Sequence, residues 1–371
     1  MLYVGWTAVA RQQGHVAYDN AFIGEVFLNK GAAASPAIEA NAPYANEGTG
    51  YDGQFFLFIA QDPANAHHYL DDARYRYGRI LYPMVARAAA EILHIGIPGA
   101  LVGINIVAVT LGVLALALLL RRRGYSPWLA LLFGLYPGVF VSVLRDLSDV
   151  LAYALVAWAI LVFDRGRGWG VAASAGLFAL AILTRETTAI FAVIWAVVLL
   201  FQARPARNWR RAVAFTVAAL APYFAYRVFL LFWLGEGGLP AQLRPSVVPF
   251  GGILDYWPWD AADIQQLYAV VFPGTVCLCL ALWALKNRLF DPAVAALAVN
   301  ALLYVVLLPP ATFVDFYSSL RIPIGVVTAL VLVAPAFDKL FGRGRTWLLL
   351  PAIAWFAPWW QLLPIALQET W

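Results

Sequence analysis

Residues 97–120 read IPGALVGINIVAVTLGVLALALLL, without one ionisable side chain, and this stretch decides the fold class. A bilayer core of about 30 Å is crossed by roughly 20 apolar residues in a helix. A spanning strand would instead alternate apolar and polar residues over roughly ten positions. The run here is continuous, and hydrocarbon offers no partner for backbone N–H and C=O groups, so the expected form is a helix that satisfies them internally.

Working outward, similar apolar runs recur near 127–144, 150–163, 169–183, 187–201, 212–234, 267–285, 292–310, 321–337 and 347–366. The chain of 371 residues is 63% hydrophobic and 12% charged, a balance that excludes an ordinary soluble domain. The expected fold is all-α, a polytopic transmembrane helical bundle of about 10–11 spans. Residues 1–10 are too short to span and are read as the remnant of a first transmembrane helix. Residues 11–96 form a long first extracytoplasmic loop, and residues 97–371 form the bundle. Segments 53–60 and 82–93 of the loop are expected to be amphipathic interfacial helices.

The net charge of +4 raises the question of nucleic acid, but the basic residues sit in short connections. RRR (121–123), RGR (165–167), RPARNWRR (204–211), KNR (286–288) and KLFGRGR (339–345) fall in alternate connections, which assigns that side to the cytoplasm. The style of the sequence points to a bacterial plasma membrane. No cleavable leader is evident. Cys277 and Cys279 fit neither a metal site nor a disulfide and are read as packing residues.

Ionisable groups near a membrane interior are costly and mark function. Here they gather at the outer ends of the spans: Asp52 in GYDGQFFLFIAQDP (50–63), Arg74, Arg76 and Arg79 in RYRYGR, Arg145, Asp146 and Asp149 in RDLSD, Arg185 and Glu186 in LTRETT, then Asp255, Asp260 and Asp263, and finally Asp315 and Arg321. Forked arginine donors suit a phosphate, and a carboxylate suits a base. The pattern points to a pocket for a charged, lipid-linked molecule. No residue pair in the first loop demands a divalent ion, so no metal and no cofactor is expected.

GYDGQFFLFIAQDP followed by YRYGRILYP resembles the first outer loop of polytopic glycosyltransferases of the C superfamily. These use polyprenyl-phosphate sugars, and the loop resembles that of the mannosyltransferases that build glycolipid anchors. Tyr51, Asp52, Gly53, Phe56, Ile59 and Ala60 carry the resemblance, which is specific over about 50–83. It implies that Asp52 is the catalytic base of an inverting transfer, that a polyprenyl-phosphate-linked sugar is the partner, and that a mannose-type hexose is a candidate sugar. The substrate-binding candidates are Tyr51, Gly53, Arg74, Arg76, Arg79, Arg145, Asp149, Arg185, Glu186 and Arg321.

Each residue has a plainer reading. Asp52 could cap the segment that follows it. Gly53 could serve a tight approach or a turn. Asp62 before Pro63 fits a helix-ending turn. Arg74, Arg76 and Arg79 could anchor at lipid headgroups. Arg145 with Asp149, and Arg185 with Glu186, could be ion pairs that pin helix ends. WPWD (257–260) could stack a sugar or form an aromatic belt, with the belt favoured. His67 and His68 read as surface residues, and Asp19 and Glu25 are rival bases. Two other functions compete with the transferase: a transporter or flippase for lipid or lipid-linked sugar, and a non-catalytic membrane assembly subunit.

Overall fold

The computed structural model describes residues 2–12, 15–31, 33–164, 168–201, 205–235, 246–341, 346–359 and 362. The basic run at 165–167, parts of those at 204–211 and 339–345, loop residues 236–245 and the chain end after 362 lie outside the described residues.

The described residues are helical, with no strand among them and one isolated bridge between Gly24 and Asn46. The helices that carry the argument are α1 (Leu2–Gln12), α2 (Gly53–Gln61), α3 (Ala73–Tyr77), α4 (Leu81–Leu93), α5 (Ile97–Arg122), α6 (Pro137–Leu144), α7 (Asp149–Phe163), α8 (Gly168–Thr184), α9 (Ala189–Leu200), α10 (Pro205–Leu234), α11 (Phe272–Lys286), α12 (Pro292–Ala301), α13 (Phe316–Arg321), α14 (Ile324–Phe341) and α15 (Thr346–Phe356).

Their boundaries follow from local chemistry. α5 begins on Gly96 and Pro98, where proline lacks only an N–H that would be orphaned anyway, and ends on Arg121 and Arg122, whose charge suits the helix C-terminus. α6 likewise starts on a proline. α8 stops where Arg185 turns extended, and one 3-10 turn, Glu186–Thr188, leads into α9. Among the described residues, four helices are long and apolar enough to cross a membrane: Ile97–Arg122, Trp209–Leu234, Asp263–Lys286 and Phe316–Asp338. A fifth span exists if Pro127–Gly134 and α6, bent by 50°, count as one. The runs at 150–163, 169–183, 187–201 and 292–310 form apolar helices of 10–17 residues. This set of apolar helices fits a multi-pass membrane protein.

Two apolar cores organise the chain. The larger joins α5 through α15, with α7 packed between α5 and α8. Small residues let α5 and α7 approach: a Cβ at Gly112 would lie 3.3 Å from the Ala154 Cβ. The smaller core gathers Ile23, Phe55, Phe58, Tyr69, Tyr77 and Tyr82 from residues before 97, and reaches Leu147 and Leu230 of the larger body.

The segment at 53–60 does not lie on the protein surface. Every residue from Gly53 to Ala60 is buried. GQFFLFIA is apolar nearly all round, and such a helix belongs inside a core rather than on a surface. α4 does keep two faces, burying Tyr82, Ala86 and Ala90 while exposing Met84, Val85, Ile92 and Leu93. The cysteines also divide: Cys277 is buried and Cys279 exposed, so only the first is a packing residue.

The connections sort to two ends. Arg123 pairs with Asp164 at 3.1 Å, and Arg122 donates to the Leu161 carbonyl at 3.0 Å, beside the ends of α5 and α7. The turns after α6, α8 and α13 meet at the other end. There the α6–α13 seam is tight: Tyr136 donates to the Leu320 carbonyl at 2.6 Å, and a Cβ at Gly138 would overlap that same oxygen. Gly138→Ala should therefore lower stability by about 1–3 kcal/mol. Gly99→Ala, where nothing lies within 4 Å of the new Cβ, should not. Thermal unfolding of the detergent-solubilised variants checks this, and equal midpoints for the two would refute the seam.

Candidate active site

Asp52 stands directly before α2, with helical backbone angles of φ −54° and ψ −28°, and its side chain caps nothing. The capping reading is thereby corrected: a favoured N-cap is extended and accepts from an N–H of the first turn. The carboxylate faces two guanidinium groups instead. Oδ1 lies 2.9 Å from Arg76 Nη2, and Oδ2 accepts from Arg321 Nη2 at 2.5 Å. The side chain stays 21% exposed, so a ligand can reach it.

Each partner is fixed from behind. Arg76 also donates Nε and Nη2 to Asp71, at 2.8 and 2.6 Å, and its guanidinium stacks 4.3 Å from the Phe55 ring. Arg321 closes α13, a helix whose N-cap Asp315 accepts from the Ser318 N–H at 2.7 Å. The Ser318 hydroxyl bonds to the Tyr51 hydroxyl at 2.9 Å. The Tyr51 ring then lies 5.5 Å from the Arg321 guanidinium and 5.8 Å from that of Arg145. Arg145 itself lies 4.4 Å from the Phe22 ring. Gly53 serves the tight approach, since a Cβ there would overlap the Arg145 carbonyl oxygen.

A second set of pairs adjoins the first. Arg79 grips Glu186 through two donors, Nη2 to Oε1 at 2.8 Å and Nε to Oε2 at 3.1 Å. Its Nη2 also donates to the Tyr75 hydroxyl at 2.5 Å. Arg185 pairs with Asp149. Asp149 acts electrostatically on both Arg79 and Arg321, which joins the two sets into one cluster. The expected pairs Arg145–Asp149 and Arg185–Glu186 are thus corrected to Arg185–Asp149 and Arg79–Glu186. Arg185 and Glu186 are neighbours across a break from extended to helical backbone, so each finds its partner on another segment.

Other candidates stand apart. Asp19 accepts from the Val16 N–H at 2.7 Å and lies 3.5 Å from His15, lining a small pocket with Asn20 and Arg145, and Glu25 is exposed. Asp62 accepts from Ser35 and Asn65, as a helix-ending turn requires. His67 stacks on His68, which is exposed. Asp260 and Asp263 bond to each other's N–H groups, Asp255 is exposed, and Trp257 is 70% exposed beside Trp259. Among the described residues, no group of three or more His, Cys, Asp or Glu side chains is arranged to hold a metal.

The sequence reading missed Asp71 and Tyr75, which hold Arg76 and Arg79, and Arg227 of α10, which donates to the Arg74 carbonyl at 2.6 Å. Asp71 and Tyr75 lie five and four residues before the arginines they hold. The signal for Arg227 was its isolation: it is the one charged residue between Ala212 and Leu234.

Burial alone would raise the Asp52 carboxyl, but Arg76 and Arg321 outweigh it and hold the group well below the usual carboxylate range. A carboxylate so clamped is a weak base. An anion that competes for either guanidinium would free an oxygen and restore basicity, so the geometry couples anion binding to proton acceptance. Asp146, in the turn between α6 and α7, is the opposite case. It is fully buried in left-handed backbone (φ 48°), neither of its oxygens has a hydrogen-bond partner among the described residues, and burial pushes its carboxyl well above the usual range.

No protein-family model, curated protein or solved structure matches this chain.

The two acids should give opposite pH slopes. Asp52, depressed in the fold, contributes stability that is complete above its unfolded value near 3.8 and is lost as pH falls below it. Asp146, raised in the fold, contributes stability that is complete below that range and is lost as pH rises. Asp52→Ala should cost about 3–5 kcal/mol at neutral pH, by stranding the buried Arg321 guanidinium, while Arg76 keeps Asp71. Asp146→Asn should exceed wild type in stability at neutral pH and match it near pH 4. Unfolding midpoints across that pH range test both, and an Asp146→Asn advantage that grows toward acid would overturn the second.

Proposed function

We propose that this chain is an integral membrane glycosyltransferase that moves a sugar from a polyprenyl-phosphate donor to an acceptor hydroxyl, with inversion at the anomeric carbon. The observation that carries the reading is the convergence of Asp52 with Arg76 and Arg321 at one end of a set of apolar helices. The resemblance of the loop at 50–83 to C-superfamily glycosyltransferases supports it further.

The topology proposed with it is the full one: about 10–11 spans, with the shorter apolar helices crossing together with their flanks. Arg121–Arg123, Lys286 and Arg288 lie at the opposite helix ends from the Asp52 cluster. The positive-inside rule then assigns that cluster to the extracytoplasmic side, of a bacterial plasma membrane on this reading.

The chemistry follows from the clamp. The donor is a phosphodiester carrying one negative charge. Its phosphate competes with Asp52 for Arg76 and Arg321 and frees a carboxylate oxygen. The acceptor oxygen then attacks the anomeric carbon and forms the new glycosidic bond. The bond from that carbon to the phosphate oxygen breaks, and its electron pair leaves on the polyprenyl phosphate, now a dianion. Asp52 takes the acceptor proton and later releases it to water. The leaving group needs cations more than a proton, and the paired arginines supply them.

A second reading, a flippase for a lipid-linked sugar, draws on the 50° break between Pro127–Gly134 and α6, since broken helices are a habit of transporters. A transfer assay separates the two. Membranes containing the wild-type protein should move radiolabelled sugar from one member of a panel of polyprenyl-phosphate donors. Asp52→Asn, at matched folded protein, should lose about 100-fold or more of that rate. Asp52→Glu, which keeps a carboxylate, should retain part of it. Full transfer by Asp52→Asn would remove the base assignment, and donor translocation without transfer would favour the flippase.

A further inference from the structure

The arginines nearest Asp52 are occupied. Arg76 and Arg321 pair with Asp52, Arg79 with Glu186, and Arg185 with Asp149. Arg227 differs. It is the sole charge on the apolar stretch from Ala212 to Leu234, and a cation in such a helix needs a reason. Among the described residues, no carboxylate pairs with it, and it makes one donation, Nη1 to the Arg74 carbonyl at 2.6 Å. A guanidinium has five N–H donors in a fixed fork, so one backbone carbonyl leaves most of its capacity unused.

Its surroundings have two sides. Inward, the guanidinium reaches the Arg74 carbonyl, within the turn that carries Arg76 and Arg79, so Arg227 borders the ion-pair cluster. A Cβ at Gly78 would sit 2.9 Å from Nη1, so glycine there lets the guanidinium lie against the chain beside Arg79. Outward, Tyr226, Phe229 and Trp233 stack in succession, with centroids 6.0 and 5.8 Å apart. Val228, Phe229 and Phe232 are exposed around them. A cation at the seam between a polar cluster and an apolar aromatic face suits a molecule with a phosphate joined to a hydrocarbon.

We infer that Arg227 binds the phosphate of the lipid-linked sugar as it enters the site from the membrane, with the lipid chain lying on the aromatic face of α10. The inference rests on the proposed transferase reading. It assigns α10 the capture of the donor and leaves to Arg76 and Arg321 the exchange that frees Asp52. The anionic headgroup of a bulk phospholipid offers the same chemistry, so the test must separate the two sources.

Purified protein in nanodiscs of zwitterionic phosphatidylcholine would be titrated with a fluorescent polyprenyl phosphate and with the matching polyprenyl alcohol. Wild type should prefer the phosphate. Arg227→Gln should weaken phosphate binding about tenfold or more, the usual scale of a lost charge-assisted bond, and leave alcohol binding unchanged. Arg227→Lys should keep part of the preference. Added phosphatidylglycerol should leave the preference standing; its loss would assign the site to bulk anionic lipid and overturn the inference. Equal preference in wild type and Arg227→Gln would overturn it too, while sparing the transferase reading. Absence of any preference in wild type would sink both. If neither Arg227 variant folds, the residue is a structural tie to Arg74 and the inference fails.

Discussion

Charge neutralisation at the helix ends is the constraint on which this structure depends. An isolated guanidinium or carboxylate in a low-dielectric interior is costly, and removing one member of a buried pair strands the other. The chain answers with pairs whose members come from separate segments. Asp52 and Arg76 belong to the region before α5, Asp149 and Arg185 to the starts and ends of α7 and α8, and Arg321 to α13. The clamp therefore fastens the smaller apolar core to the larger. Gly53 and Gly138 let backbones close to a distance at which these side chains meet, and Phe55, Tyr51 and Tyr75 supply ring faces that shield the guanidinium planes.

Much of the fold was legible in the sequence because long apolar runs leave few alternatives. The run at 97–120 became α5 with two residues added, and the runs at 150–163 and 169–183 became α7 and α8 almost unchanged. The segment at 53–60 was not legible in the same way. Its all-round apolar composition suits a core helix, its place among polar loops suggests a surface one, and the packing of Phe55, Phe56 and Phe58 decides for the core.

The membership of the site was legible and its wiring was not. Asp52, Arg76, Arg79, Arg145, Asp149, Arg185, Glu186 and Arg321 stand out as charges beside apolar runs, and the structure gathers them. Which acid meets which arginine depends on the direction each side chain leaves its turn. Nothing in LTRETT distinguishes Arg185, which reaches Asp149, from Glu186, which reaches Arg79. Asp146 shows the same limit. RDLSD offers three charges in five positions, and no local feature marks the middle one as the acid that finds no hydrogen-bond partner among the described residues.

The bond between Asp52 and Arg321 joins residues 269 positions apart. A ribosome that has finished α10 has already produced Asp52, Arg76 and the whole of the smaller core. It has not yet produced Arg321. Until α13 emerges, Asp52 has only Arg76 as a cationic partner, and the Tyr51 hydroxyl lacks Ser318. Assembly of the site is thus timed by the length of the message, and a product of interrupted translation would carry an exposed, half-neutralised acid where the finished protein carries a closed clamp.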